Sequence, residues 1–163
     1  MKTKDDFILL IKDNEKIIHK VIGLYVYHNE DKKDLYQEIL LQAWKSFALF
    51  NGSSKFSTWL YKVSLNTVFS FIRKERPEEA SDYEDMHRVV TPEDKKEEYG
   101  VLYDLIQQFN EVDRMLMMLH LDGYKNFEIS EITGMNTNHV NVKIHRLKQT
   151  IVKQFNMATN GNK

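Results

Sequence analysis

The sequence predicts an all-α protein: two small helical domains joined by an acidic linker, the second ending in a helix-turn-helix. Three observations predict it. Apolar residues recur at the spacing of amphipathic helices through residues 4–76 and again through 97–154. The only two prolines, Pro77 and Pro92, bracket EEASDYEDMHRVVT, a stretch that is acidic and poor in large aliphatics. Residues 124–154 then give a short apolar-patterned helix, a glycine, and a longer helix. The expected division is 1–76, a linker over 77–96, 97–155, and a flexible tail over 156–163.

Composition bounds the function classes. With 163 residues, 23 Lys and Arg against 24 Asp and Glu, the net charge is near zero, so charge distribution carries the information. It reads basic, acidic, basic along the chain. There is no cysteine, hence no disulfide framework and no thiolate chemistry, which fits a reducing cytoplasm. No apolar run approaches the roughly 20 residues that span a bilayer, so no membrane insertion is expected. The start MKTKDDFILLIKDNEK sets acids on both sides of its apolar patch, unlike a signal peptide. Six histidines are scattered without an HExxH pair or cysteine partners, and no glycine-rich phosphate loop is present. No metal, cofactor or enzymatic activity is expected.

Each element has its own pattern. Residues 4–27 carry Phe7, Leu10, Ile11, Ile17, Ile18, Val21, Ile22 and Tyr25 at helical period, before a turn at His28-Asn29-Glu30. A helix over 31–50 places Leu35, Ile39, Ala43 and Phe47 on one side, the expected core stripe. After the polar loop FNGSSKFS, a helix over 56–76 closes in a basic cluster and stops at Pro77. Three helices with short connections make a bundle. Beyond the linker, Thr91 and Pro92 supply N-cap and first helical residue for a helix carrying Val101, Leu102, Leu105, Ile106 and Phe109. Asn110, with Asp113 three residues on, caps the next helix, which buries Val112, Met115, Leu116 and Leu119 and stops at Gly123. Its methionines read as core filler. A short helix with Phe127, Ile129 and Ile132 turns at Gly134, where a left-handed backbone is easy. A longer helix starts near Thr137 with Val140, Ile144, Leu147 and Ile151 as its buried seam.

Three faces remain outside these cores. On the second helix, Asp34, Gln37, Glu38, Leu41 and Lys45 gather opposite the core stripe: a solvated face, or a partner surface hinted at by Leu41. On the third, Lys62, Asn66 and Arg73 recur with Trp59, Phe69 and Ser70 beside them. Cations, an amide and rings on one stripe suit a single nucleic-acid strand, although a polar face with aromatics at its edge has the same spacing. On the last helix, Asn138, Asn141, Val142, His145, Arg146 and Gln149 face outward, flanked by Lys143, Lys148 and Lys153. Residues 136–154 contain no acid, which suits phosphate contact and base reading in a major groove.

The ordered run DLYQE, AW, the F-x-G loop, FSTWLYKVSLN and the basic close Arg73-Lys74-Glu75-Arg76 resembles the sigma factors of bacterial RNA polymerase, in particular the small extracytoplasmic-function group with two folded domains. GYKNFEISEITGM followed by V-x-V-K-I-H-R-L-K resembles the second domain of the same family. The resemblance implies that Asp34, Leu35, Gln37, Glu38 and Leu41 bind the clamp helices of core polymerase. It implies that the −10 element meets the loop Phe50, Asn51, Gly52, Ser53, Ser54, Lys55, Phe56 and Ser57 with Trp59, Lys62, Asn66, Arg73, Lys74 and Arg76. It implies that duplex −35 DNA meets Asn138, His139, Asn141, Val142, Lys143, His145, Arg146 and Lys148. An anti-sigma partner is implied as well. Three positions depart from the family pattern: Lys125 where Ser or Thr is usual, Asn126 where an aromatic is usual, and Val142 in place of a common Ser. Asn126 or a shifted start is therefore expected to serve as cap, and Val142 to meet a thymine methyl. The alternative reading is a helix-turn-helix regulator that binds duplex DNA without polymerase.

Overall fold

The computed structural model describes residues 2–75 and 97–160, and every element in them is helical. The chain divides into two compact units, Met1–Ala80 and Ser81–Lys163. The expected linker, with Pro77, Thr91 and Pro92, lies outside the described residues, as does Arg76.

The first unit contains α1 (Lys4–Tyr25), α2 (Asn29–Phe47) and α3 (Phe56–Glu75), each packed on the other two. A capping box that the sequence reading passed over starts α1: the Asp6 amide donates to Thr3 Oγ1 at 3.2 Å, and the Thr3 amide donates to the Asp6 carboxylate at 2.8 Å. The Thr3 amide, and then the Thr3 hydroxyl at 2.9 Å, donate to that carboxylate and hold the Asp6 carboxyl below its ordinary range. On α2 the buried residues are Leu35, Ile39, Ala43 and Phe47, the stripe read from the sequence. They meet Ile18, Val21 and Ile22 of α1 and Leu60, Leu65 and Val68 of α3 in one apolar core. Leu10 and Ile17 of the expected α1 stripe are only half-buried, and Leu24 is buried instead.

A polar tie crosses α1 and α2 outside that core. The Tyr36 hydroxyl donates to Glu15 at 2.7 Å, and the His19 ring stacks on Tyr36 with centroids 5.0 Å apart and Nε2 3.5 Å from the same carboxylate. Partial burial, then the Glu15 hydrogen bond and charge, push the Tyr36 phenol up to about 12.

In the second unit α7 (Thr137–Asn160) is the element on which α4 (Glu97–Gln107), α5 (Glu111–Leu121) and α6 (Asn126–Thr133) all pack. Its buried residues are Val140, Ile144, Leu147 and Ile151, as the spacing predicts. Asn110 caps α5 by accepting the Asp113 amide at 2.9 Å. The Arg114 guanidinium donates to the carbonyls of Gln107 and Phe109, satisfying the C-terminal end of α4. At the other end of α5 the amides of Gly123 and Tyr124 donate to the carbonyls of His120 and Leu119, a Schellman motif that needs the positive φ of Gly123 (86°). Met115 and Met117 fill the core beside Leu116.

Four expectations are corrected. Phe127 is 54% exposed, because it lies about 200° around α6 from Ile129, which packs inward. Val112 stands exposed in the first turn of α5, and Val101 stands exposed on α4 one turn ahead of Leu105, where burial begins. Lys125 holds the N-cap position of α6 in place of Asn126; its amide donates to Glu128 at 2.9 Å, but an ammonium has no lone pair to return the bond, so this is half a capping box. Finally, α7 runs through residues 156–160, expected as tail, because no glycine or proline interrupts it before Gly161.

The raised Tyr36 phenol is a stability statement. Its folded value lies above its unfolded one, so the contribution is full below the ordinary value near 10 and is lost as pH rises through about 12. In ultraviolet titration, the difference between the wild type and Tyr36→Phe is expected to have its midpoint near pH 12, moving down in Glu15→Gln. An ordinary midpoint in the wild type would rule out the tie.

Candidate functional site

The face of α2 opposite its core stripe presents Asp34, Gln37, Glu38, Leu41 and Lys45, all exposed. Glu38 accepts from Gln42 at 2.7 Å, one turn along the same face. Leu41 and Trp44 are each 45% exposed, which places apolar area within a charged surface. Leu35 does not belong there. It is 1% exposed, packed in the α1–α3 core, so a role in partner contact is corrected: its place in the motif is structural. Tyr36, one residue on, is the tie to α1 described above.

The loop after α2 is built from rings. Phe47, 3% exposed, lies 5.1 Å from Phe7 of α1 and 6.3 Å from both Phe56 and Trp59 of α3, centroid to centroid. Phe50 in the loop lies 5.7 Å from Phe56 and 5.3 Å from Trp59, and Phe56 and Trp59 are 5.1 Å apart. Trp44 closes the set, 5.1 Å from Phe7. Edge-on and tilted ring contacts of this kind are worth about 0.5–1.5 kcal/mol each beyond area burial, enough to fix a loop of this length. Lys2 adds a strap: its ammonium donates to the Phe47 carbonyl at 3.1 Å and sits 5.3 and 5.0 Å from the Phe47 and Phe50 centroids. Between the ring anchors the backbone turns at Gly52 (φ 77°), where the Ser53 amide donates to the Asn51 side chain at 3.0 Å.

Phe50, Phe56 and Trp59 thus hold one another while remaining half-buried, so each keeps part of its surface open. Asn51, Ser53 and Lys55 are exposed, and Ser54 and Ser57 half-buried. Along α3, Lys62, Asn66, Arg73 and Lys74 are exposed, with Phe69 and Ser70 half-buried between them. The Arg73 guanidinium donates to Ser70 Oγ at 3.3 Å. The sequence reading found Phe50, Phe56 and Trp59 but missed Phe7, Trp44 and Lys2. Only Trp44, an aromatic off the core stripe beside Phe47, carried a local signal.

In the second unit, α6 ends at Gly134 (φ 74°), and the turn into α7 is pinned on both sides. Ser130 Oγ donates to the Met135 carbonyl, the Met135 amide to Thr133 Oγ1, and the Asn138 amide to Asn136 Oδ1, which caps α7. Asn138, His139, Asn141, Val142, His145, Arg146 and Lys148 are all exposed on α7. Lys143 is the exception. Its ammonium lies 2.6 Å from Asp113 at the start of α5, with 30% of its side chain exposed, so its charge is spent inside the unit instead of on an outside anion. Lys148 is near enough to His120 for its charge, after burial, to lower that imidazole's pKa. Asn141 accepts a hydrogen bond from the Asn126 amide at 2.5 Å. Among the described residues no group of His, Cys, Asp and Glu could hold a metal, and no helix is long and apolar enough to cross a membrane.

Residues 10–78 match the family described as Sigma-70 region 2. The RNA polymerase sigma factor SigV of Bacillus subtilis is 26% identical over 148 residues, covering 88% of this chain and 87% of the relative. The ECF RNA polymerase sigma-E factor of Haemophilus influenzae is 27% identical over 164 residues, covering 91% and 86%. Among solved structures, the sigma factor RpoE in complex with the anti-sigma factor NepR from Bartonella quintana superposes with a TM-score of 0.70 at 17% identity, covering 92% of this chain and 94% of that one. CnrH in complex with the cytosolic domain of CnrY gives 0.65 at 15% identity, covering 94% and 90%. The motif order along the chain and these relatives agree: residues 10–78 carry Sigma-70 region 2, and the chain is similar over most of its length to RNA polymerase sigma factors, those of the extracytoplasmic-function group among them.

Proposed function

We propose that the chain directs promoter-specific initiation by three separable contacts. Core polymerase binds the α2 face of Asp34, Gln37, Glu38 and Leu41. Duplex −35 DNA binds α7, with Arg146 and Lys148 on or near phosphates and Asn138, His139, Asn141, Val142 and His145 toward base edges. The melted −10 strand binds the Phe50–Ser57 loop and α3. The observation that carries this reading is the juxtaposition, in one unit, of half-buried Phe50, Phe56 and Trp59 with exposed Lys62, Asn66 and Arg73. Drawing a base from the stack costs a few kcal/mol. Stacking returns about 1–3 kcal/mol per base, and the cations add phosphate contacts, so capture wins only where both are available. A rigid, ring-built loop lowers the ordering cost of that capture.

Val142, 47% exposed on α7, supports an apolar contact to a thymine methyl in place of a hydroxyl hydrogen bond. An anti-sigma partner is part of the proposal, because the relative RpoE is solved in complex with one. The chain would act in the cytoplasm, where polymerase and promoter DNA are found.

Run-off transcription with core polymerase from the source bacterium and fragmented genomic DNA tests the whole. Discrete transcripts that need the chain support it and reveal both promoter elements; duplex binding without polymerase binding would sink it. Glu38→Lys is expected to abolish co-purification with core polymerase while helical circular dichroism stays unchanged, since the side chain is exposed. Asn66→Ala is expected to weaken fluorescence-detected capture of single-stranded −10 DNA and spare duplex −35 binding; equal losses would refute a −10 role. Arg146→Ala is expected to cost about 1–3 kcal/mol at one guanine if it reads that base bidentately. A loss uniform across sequences, with a shallower salt dependence, would make it a phosphate contact.

A further inference from the structure

Asn126 departs from the family pattern, and its side chain has a partner. It stands at the first residue of α6, and its amide NH2 donates to Oδ1 of Asn141 on the exposed face of α7. An untethered asparagine on a helix surface turns its amide freely. It can then offer Oδ1 and Nδ2 together, the pair that matches adenine N6–H and N7. In this chain Oδ1 of Asn141 is held toward α6. The remaining group is Nδ2, a donor with two hydrogens and no partner among the described residues, on an exposed side chain.

We infer that Asn126 is a positioning residue that sets the base preference of Asn141, fixing its amide so that Nδ2 is offered to acceptor edges, guanine N7 and O6 foremost, and competing for the Oδ1 that the bidentate adenine pairing needs. The inference rests on the reading of α7 as the −35 reader and adds to it a specificity device found in two side chains from different helices. Sequence spacing could not show it, because residues 126 and 141 are brought together only by the Gly134 turn. Replacing the donor at 126 by an acceptor should invert the device. In Asn126→Asp the carboxylate can only accept, so the Asn141 amide turns over, giving Nδ2 to the carboxylate and Oδ1 to the groove. The edges then favoured are those that donate, adenine N6–H and cytosine N4–H. An acid in the first turn of α6 is compatible with the helix dipole, so the fold should hold.

The test uses the full chain bound to core polymerase and a duplex library randomised across the −35 region, with bound DNA sequenced. Asn141→Ala should flatten preference at one position, which identifies the base it reads. At that position the wild type should favour guanine over adenine. Asn126→Asp should shift that ratio about tenfold toward adenine or cytosine, and Asn126→Ala should move it in the same direction by less. Thermal melts of the variants matching the wild type would show that the shift is not misfolding. An unchanged ratio in both variants would overturn the inference, as would a loss spread evenly over all sequences in Asn126→Asp. Failure of Asn141→Ala to flatten any position, with other positions still selected, would remove Asn141 as a reader and overturn the inference alone. Failure of the wild type to select any duplex would overturn the −35 reading and this inference with it.

Discussion

The first unit depends on the burial of Phe47. It is the last residue of α2, it completes the core stripe begun at Leu35, and it is the ring on which four other rings from three helices meet. Phe7 brings the start of α1, Trp44 the preceding turn of α2, and Phe56 and Trp59 the start of α3. Its helix-end carbonyl accepts twice, from the Phe50 amide of the loop and from the Lys2 ammonium, each at 3.1 Å. One side chain therefore joins the packing of three helices to the shape of the loop between two of them. Truncating it would leave a cavity bounded by rings, a change in the range of about 3–5 kcal/mol for a buried aromatic.

The second unit is arranged differently, around a helix instead of a ring. All of α4, α5 and α6 pack on α7, so the side of α7 they leave uncovered is fixed by what they cover. Val140, Ile144, Leu147 and Ile151 point inward, and Asn138, Asn141, Val142, His145 and Arg146 are the remainder. The Lys143–Asp113 pair sits at the edge of that division. With Asp113 also receiving the Asn110 side-chain amide at 2.9 Å, a single carboxylate joins the cap of α5 to α7. Such a pair, partly shielded from water, orients the helix more than it stabilises the unit.

What the sequence made legible follows from range. Period-3.6 stripes report which side of a helix is apolar, and the buried sets of α2 and α7 match their stripes residue for residue. Turn chemistry is equally local, so Gly123, Gly134 and the Asn110 cap were readable. The misreadings lie where burial depends on where a neighbour ends: Val101 one turn ahead of Leu105, Val112 in a first turn, and Phe127 on a helix of two turns, too short for its period to decide a face. Leu35 shows a different limit, because a motif joins residues by adjacency while a helix sends neighbours in opposite directions. The Phe7 and Lys2 contacts to the loop, the Lys143–Asp113 pair and the Asn126–Asn141 bond join residues distant in sequence. Nothing in periodicity encodes them.

The ring cluster also bears on how the two faces of the first unit relate. Trp44 is half-exposed beside Leu41 on α2, yet its ring lies 5.1 Å from Phe7 and 6.4 Å from Phe47, within the set that supports the loop. The proposed polymerase face and the proposed −10 loop are therefore built on one packed cluster. Glu38 and Asn66 are exposed and outside that cluster, so substitutions there test the two proposed contacts one at a time. Trp44 cannot be changed on the same terms: losing its ring would remove apolar area from the α2 face and a buttress from the loop together. Rigid clusters transmit displacement because close-packed side chains have few alternative arrangements. Occupation of the α2 face by a partner that presses on Trp44 would thus be felt at Phe56 through two ring contacts, Trp44 to Phe47 and Phe47 to Phe56, and at Phe50 through a third, Phe56 to Phe50.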